Sequence, residues 1–260
     1  MSIRFENITK SFGDKTILND VSFEVSTGEI LFILGKSGMG KSVTLKHMVG
    51  VMKPNSGRVF VDQAEVTALN DEGLSDVRRK CGMVFQHPAL LDSLSVYENV
   101  AFGLRTLQFQ QTLSSPWGEN DIKTRVLETL ALVNLGADIL DRMPPEISYG
   151  MQKRVSLART LAPGPKYLLF DEPTTGLDPI TTNAVNELIF ELSRKLRVTS
   201  VVVSHDMACA LKIADRILVL DQARILALAT VSEIKRSAEP LILDFLQETL
   251  ALLPPEERTR

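Results

Sequence analysis

One octapeptide limits what this chain can fold into: Gly35-Lys36-Ser37-Gly38-Met39-Gly40-Lys41-Ser42, set between the apolar run Ile30-Leu31-Phe32-Ile33-Leu34 and the helix-like run Val43 to Gly50. It fits G-x-x-x-x-G-K-S, a loop that wraps a polyphosphate. A backbone that turns its N–H groups inward around an anion has no room for side chains at the tight points, and Gly35, Gly38 and Gly40 leave that room. A helix starting near Lys41 aims the positive end of its dipole at the anion. Lys41 can then reach the β- and γ-phosphates, and the Ser42 hydroxyl can ligate Mg²⁺. Each charge-assisted bond contributes roughly 1.5–3 kcal/mol, so Gly35 through Ser42, with Val43 behind them, can together hold a nucleotide. The bland alternative is a Gly-rich turn that fits by chance, but the strand before it and the amphipathic run after it are the context the motif requires.

At 260 residues the chain can bury a substantial core as one large domain or two small ones. No apolar run approaches the roughly 20 residues needed to cross a bilayer, and the start Met1-Ser2-Ile3-Arg4-Phe5-Glu6 lacks a signal-peptide core, so a cytosolic location is expected. Cys81 and Cys209 lie far apart and read as buried apolar residues. A net charge of −3 argues against a general polyanion surface. The short basic clusters Arg78-Arg79-Lys80 and Arg194 to Arg197 read as solvated helix faces, so no nucleic-acid partner is expected.

Along the chain, Ile3 to Phe12 and Ile17 to Val25 alternate like strands around the turn-rich Gly13 to Thr16, giving an antiparallel layer ahead of an α/β core. Phe12 either stacks on a nucleotide base or simply packs. Arg58 to Val61 reads as a strand, Asn70 to Lys80 as a polar helix and Cys81 to Phe85 as another strand, ended by Gln86-His87-Pro88. Helical patterns from Ser95 to Leu107 and from Asp121 to Val133 flank a break at Gln108 to Asn120. That inserted segment is either a partner-docking lobe or a helical elaboration of the core, and Trp117 within the break is either an exposed contact or a packing anchor. After Pro144-Pro145, Glu146 starts a helix reaching about Leu161, with Ser148 as its N-cap; such a helix start suits a phosphate, though most capped helices bind nothing.

Lys166 to Phe170 is an apolar strand that delivers Asp171 and Glu172 at its C-terminal end. In a chain with a phosphate loop, that pair points to Asp171 on Mg²⁺ and Glu172 orienting or deprotonating an attacking water; the alternative is a solvated acidic turn. Gly176-Leu177-Asp178-Pro179 turns into a helix from Ile180 to Leu196, and Val198 to Val203 is a buried strand ending in Ser204-His205-Asp206. Three successive residues cannot form a catalytic triad there, because neighbouring side chains on a strand point to opposite faces. His205 reads as a donor toward the γ-phosphate or as a structural histidine. Arg216 to Leu220 and Ala223 to Ala229 form a hairpin around Asp221-Gln222. The tail is an amphipathic helix with Ile242, Phe245, Leu246, Leu250 and Leu253 near one stripe, packed within the chain or against a second copy, and stopped by Pro254-Pro255.

With these pieces in order, the sequence resembles the nucleotide-binding subunit of ATP-binding cassette transporters over nearly its whole length. Phe12 falls at the family's adenine-stacking position, Gly35 to Ser42 at the phosphate loop, Gln86 at the Q-loop and Ile147 to Met151 at the signature. Asp171 and Glu172 fall at the metal and catalytic acids, Asp178 at the D-loop and His205 at the switch histidine. The resemblance implies an α/β fold with a mainly parallel sheet, an antiparallel β layer and a helical subdomain inserted at about 87–163, within an ATPase domain 1–240 followed by a tail 241–260.

It implies ATP and Mg²⁺ as cofactors, the metal held by Ser42, Gln86 and Asp171. It also implies a head-to-tail pair of copies that sandwiches ATP, with Ser148, Gly150 and Met151 closing on the nucleotide in trans. Gln86 and the helical lobe would pass the motion to an integral-membrane permease, placing the chain on the cytoplasmic face of the inner membrane. The signature departs from the usual Leu-Ser-Gly-Gly-Gln by reading Ile-Ser-Tyr-Gly-Met, with Tyr149 where a small residue is common. Met151, the Phe85 to Val100 stretch, Gly176 to Thr181 and Val201 to Met207 resemble the ATPase of Mla/Mce-type lipid-trafficking systems. A phospholipid load, with Mce-domain and small accessory partners, is therefore expected; the alternatives are a polar-solute importer of the amino-acid type and a non-transport cassette acting on ribosomes or DNA.

Overall fold

The computed structural model describes residues 2–252, apart from the side chains at 107–108 and 250–252. Its contacts divide it into two units, one holding the chain up to Ala68 and from Ser200 onward, the other Leu69–Thr199. The chain opens with β1 (Ile3–Phe12), β2 (Lys15–Val25), β3 (Ile30–Leu34), α1 (Lys41–Met48), β4 (Ser56–Val61) and β5 (Ala64–Glu65). There follow α2 (Asp71–Lys80), β6 (Cys81–Val84), α3 (Val96–Ala101), α4 (Leu107–Gln110), α5 (Glu119–Leu132), α6 (Tyr149–Leu161), β7 (Tyr167–Asp171) and α7 (Pro179–Leu196). The chain ends with β8 (Thr199–Val203), α8 (Met207–Ile213), β9 (Arg216–Asp221), β10 (Arg224–Thr230), α9 (Val231–Ile234) and α10 (Pro240–Leu252).

The first unit contains the expected antiparallel layer, in the order β2-β1-β4-β5. Alternation buries Ile3 and Phe5 on one face of β1, and Phe5 stacks on its cross-strand partner Phe23 with ring centroids 4.5 Å apart. The register between β1 and β4 slips between Glu6 and Thr9, opposite Gly57. A side chain at Gly57 would put Cβ 2.4 Å from the Asn7 carbonyl oxygen, so the bulge needs glycine there. The same unit also holds the strand order β10-β9-β3-β8, with β3 parallel to both β8 and β9. All five residues of β3 are buried, as a parallel strand covered on both faces requires.

The β9–β10 loop is Gln222-Ala223, one residue later than the sequence pattern placed it, because Asp221 stays in the ladder opposite Arg224. Both loop residues have positive φ, 45° and 66°, the backbone that a two-residue hairpin demands. Asp206 caps α8, an element that sequence periodicity missed because it spans only seven residues. Ile242 and Phe245 of α10 are buried and α10 packs on α8, in line with packing inside the chain. Leu246 is half-buried, and the remaining members of the expected tail stripe, Leu250 and Leu253, with the Pro254-Pro255 stop, fall outside the described side chains and residues.

The second unit pairs β6 and β7 in parallel, Cys81 opposite Tyr167, and surrounds them with helices. Asn70, Ser95, Ser148 and Asp178 each cap the helix that follows by accepting backbone N–H groups. The helix expected from Ser95 to Leu107 stops at Ala101, because Thr106 bonds back to the Gly103 carbonyl through both its N–H and its hydroxyl and closes a turn instead. Trp117 meets Phe109 edge-on at 5.4 Å, which makes it a local packing anchor. Both cysteines are buried and unpaired with each other. No described helix is long and apolar enough to cross a membrane.

The start of β3 is pinned by charge as well as by packing. Arg216 forks onto Glu29 with bonds of 2.6 and 2.9 Å, and the Ser26 N–H donates to the same carboxylate at 2.7 Å. Glu29 is 7% exposed and Arg216 30%, so Arg216→Met leaves a nearly buried carboxylate short of its cation. The substitution should cost about 2–3 kcal/mol, somewhat under the loss for a fully buried pair. Urea unfolding would show this as a lower midpoint at constant slope, and an unmoved midpoint would mean the pair contributes nothing.

Candidate functional site

In the first unit, β3 delivers the chain into the glycine-rich loop at the C-terminal end of parallel strands, where α/β sheets receive ligands. The three glycines serve different needs. A Cβ at Gly35 would lie 2.6 Å from the Leu220 carbonyl oxygen, and one at Gly40 would lie 2.9 Å from the Ile17 carbonyl oxygen. Gly38 has open space around it but takes φ 81°, in the left-handed region. Lys36, Ser37 and Gly38 are exposed, Met39 is half-buried and Lys41 is buried. The Lys41 ammonium folds into the loop, donating to the carbonyls of Gly35 at 2.8 Å and Lys36 at 3.2 Å.

Gly40 caps α1 with no side-chain oxygen, and the first turn, which holds Ser42 and Val43, carries no acid. A helix start of that kind suits an anion. Phe12 is 48% exposed, with the Lys10 ammonium 5.2 Å from its ring centroid. His205 is exposed just after β8, while Ser204 is buried and accepts from the Asp206 N–H at 3.0 Å. Asp206 in turn accepts from the Cys209 N–H at 2.9 Å. Ser204 and Asp206 are thus both engaged with backbone N–H groups at the start of α8.

In the second unit, four buried residues of β7 lead to Asp171, and Glu172 follows with φ 50°. That left-handed backbone costs a non-glycine residue about 1–3 kcal/mol and persists only where the surroundings impose it. The Thr175 hydroxyl donates to a Glu172 carboxylate oxygen at 3.3 Å. Asp178 accepts from the N–H groups of Ile180 and Thr181 and, at 2.6 Å, from the Thr181 hydroxyl. These bonds, that of the hydroxyl first, hold its carboxyl below the usual aspartate range.

Ser148 caps α6 by accepting from the Met151 N–H at 3.3 Å. Gly150 lies where an added Cβ would meet the Thr181 methyl at 3.3 Å, so the first turns of α6 and α7 are neighbours within this unit. Tyr149, half-exposed, reaches the ring nitrogen Nδ1 of His87 with its hydroxyl at 3.3 Å. Gln86 and His87 are exposed.

Three side chains that sequence reasoning passed over hold these loops. Asn99, fully buried, donates to the carbonyls of Leu91, Leu94 and Ser95 and accepts from the Leu91 N–H. Arg159 donates to Ala89 at 2.9 Å and Pro88 at 3.4 Å. Lys153 is buried and bonds the carbonyls of Pro173 and Thr175. A signal existed for two of them: Asn99 and Lys153 each interrupt the apolar stripe of their helix with a polar residue on its buried side.

The described donor set fits a nucleotide accompanied by Mg²⁺. A loop that glycine alone can line offers its N–H groups to phosphate, and hydroxyl and carboxylate oxygens suit a hard cation that shares its shell with phosphate oxygens.

Comparisons with known proteins agree with that chemistry. The ABC transporter family model matches residues 18–175. The methionine import ATP-binding protein MetN of Escherichia coli O157:H7 is 40% identical over 260 residues, 98% of this chain and 73% of that protein. MetN of Carboxydothermus hydrogenoformans is 39% identical over 241 residues, 92% of this chain and 69% of that protein. Among solved structures, a dimeric ATP-binding cassette in a post-hydrolysis state with ADP and Pi superposes with a TM-score of 0.78 at 31% identity, covering 88% of this chain and 98% of its own. The cbiO1 protein of Clostridium perfringens, part of the cbiONQ transporter complex, gives 0.80 at 27% identity, covering 97% and 95%. A nucleotide-driven motor of the cassette type is the class that this fold and loop define. The chain belongs to the ABC transporter family, and as such it binds ATP and Mg²⁺ and is an ATPase coupled to transport.

The glycines give a graded test of the loop geometry. Gly38→Ala should cost about 1–2 kcal/mol from backbone handedness alone. Gly35→Ala and Gly40→Ala add an overlap with backbone oxygen and should cost more, with ATP affinity falling in the same order. Equal losses in denaturant unfolding for all three would contradict the assigned close approaches.

Proposed function

We propose that this chain is the ATPase subunit of an importer for a polar, amino-acid-like solute, working as a pair of copies beneath a membrane permease on the cytoplasmic face of the inner membrane. The observation that carries the proposal is the 40% identity to a methionine import ATP-binding protein across 98% of the chain. That likeness favours solute import over the phospholipid load expected from the local motifs. Neither an Mce-domain partner nor small accessory subunits gain support from these relatives, so neither is part of the proposal.

In this reading the N–H groups of Gly35 to Val43 and the Lys41 ammonium hold the phosphates, and Phe12 stacks on the adenine. Ser42, Asp171 and Gln86 would hold Mg²⁺, which when bound neutralises charge on the β- and γ-phosphate oxygens. Glu172 orients the attacking water and takes its proton, and His205 donates to the γ-phosphate. Ser148 and the N–H groups of Gly150 and Met151 belong to the site of the second copy. Closure is thus favoured only while ATP spans the two copies, a population shift driven by differential binding. Asp178 fixes the start of α7, and Gln86 with the helical segment of about 87–163 passes the motion to the permease.

Glu172→Gln removes the base while keeping the size of the side chain. It should retain ATP binding, lose steady-state turnover by at least a hundredfold, and accumulate a dimer in light scattering when ATP is present. Rapid turnover by this variant would remove Glu172 from the reaction.

A further inference from the structure

Lys153 lies on the first turns of α6, five residues beyond Ser148, with 7% of its surface exposed. A buried ammonium is costly unless hydrogen-bonded, and its bonds here go to two carbonyl oxygens, Pro173 at 2.6 Å and Thr175 at 3.1 Å. Burial pushes the ammonium below the usual lysine range. Pro173 follows Glu172 directly. Thr175 closes the turn on Glu172 twice, through its N–H to the Glu172 carbonyl at 3.3 Å and its hydroxyl to the Glu172 carboxylate at 3.3 Å. The strained φ of 50° at Glu172 therefore sits in a turn whose two later carbonyls are held by one cation from another helix.

One helical turn before Lys153, the Tyr149 ring lies 5.5 Å from the same ammonium, and its hydroxyl reaches His87, the residue after Gln86. Contacts thus run from the Q-loop through the signature helix to the acid-bearing turn, all inside one unit. The tyrosine that departs from the family signature covers the cation that forms the middle of this chain of contacts.

We propose that Lys153 is a positioning residue for ATP hydrolysis: it straps the signature helix to the turn that carries Glu172 and so sets where that carboxylate points. The proposal rests on the role given to Glu172 above. A methionine of similar length would fill the space and leave the Pro173 and Thr175 carbonyls without their donor. A glutamine would still offer N–H groups to them.

Steady-state phosphate release by the full-length chain tests it. Lys153→Met should lower kcat at least tenfold while KM for ATP stays within twofold, and Lys153→Gln should recover kcat to within about threefold of the unmodified chain. If Lys153→Met does not fold, Lys153→Arg, which keeps the charge but displaces the donors, should lower kcat at constant KM. Unchanged kcat in a folded Met or Arg variant, a loss carried by KM, or a Gln variant as slow as the Met variant would each overturn the strap. Glu172→Gln measured alongside separates the two readings: its inactivity beside a fully active Lys153→Met refutes the strap alone, and its activity refutes the role of Glu172 itself.

Discussion

Everything this chain does with a nucleotide depends on how closely its backbone packs where β3 ends. Gly35 leaves 2.6 Å between a hypothetical Cβ and the Leu220 carbonyl oxygen of β9, and Gly40 leaves 2.9 Å to the Ile17 carbonyl oxygen of β2. The loop is thus seated against two different strands. A preformed ring of N–H groups costs no ordering when phosphate binds, which is why rigid seating serves binding better than a flexible glycine run. Lys41 completes the ring from inside, its ammonium already resting on the loop's own carbonyls.

The second unit solves a different problem: holding an acid in a conformation that its backbone resists. Glu172 adopts φ 50° directly after a buried strand, and the turn behind it is fastened by Thr175 and Lys153. The loop after Gln86 is fastened in the same manner, by Arg159 and Asn99 donating to backbone carbonyls. In each case buried or half-buried polar side chains supply the bonds that a loop lacks for itself, so these loops can be well defined without being part of a sheet or helix. Asp178 and Ser148 do the same at helix starts, and at Ser148 the capping oxygen is also the one proposed to meet the nucleotide of the second copy.

Much of this was legible in the sequence because it rests on local chemistry. The phosphate loop, the antiparallel layer, the N-cap at Ser148, the turn that leads into α7 and the acids at the end of β7 follow from spacing and residue type. What sequence could not give depends on which of several competing hydrogen-bond partners a residue takes, whether near or distant along the chain. The ladder that keeps Asp221 paired and moves the hairpin turn to Gln222-Ala223 is one case. The early end of α3, decided by Thr106 bonding back to Gly103, is another, and so is the burial of Lys153. The transported load is the least legible feature: short stretches such as Phe85 to Val100 resemble lipid-trafficking ATPases, whereas likeness over 98% of the chain runs to a methionine import protein and favours the importer alternative.

The central claim, that this motor drives import of a polar solute, is tested most directly by extracting the tagged chain from native membranes in mild detergent and identifying what accompanies it by mass spectrometry. A permease of the solute-import type should co-purify, with ATP turnover in the extract stimulated by an amino acid and its binding component. An Mce-domain protein with enriched phospholipid, or ribosomal or DNA-bound partners without any permease, would contradict it.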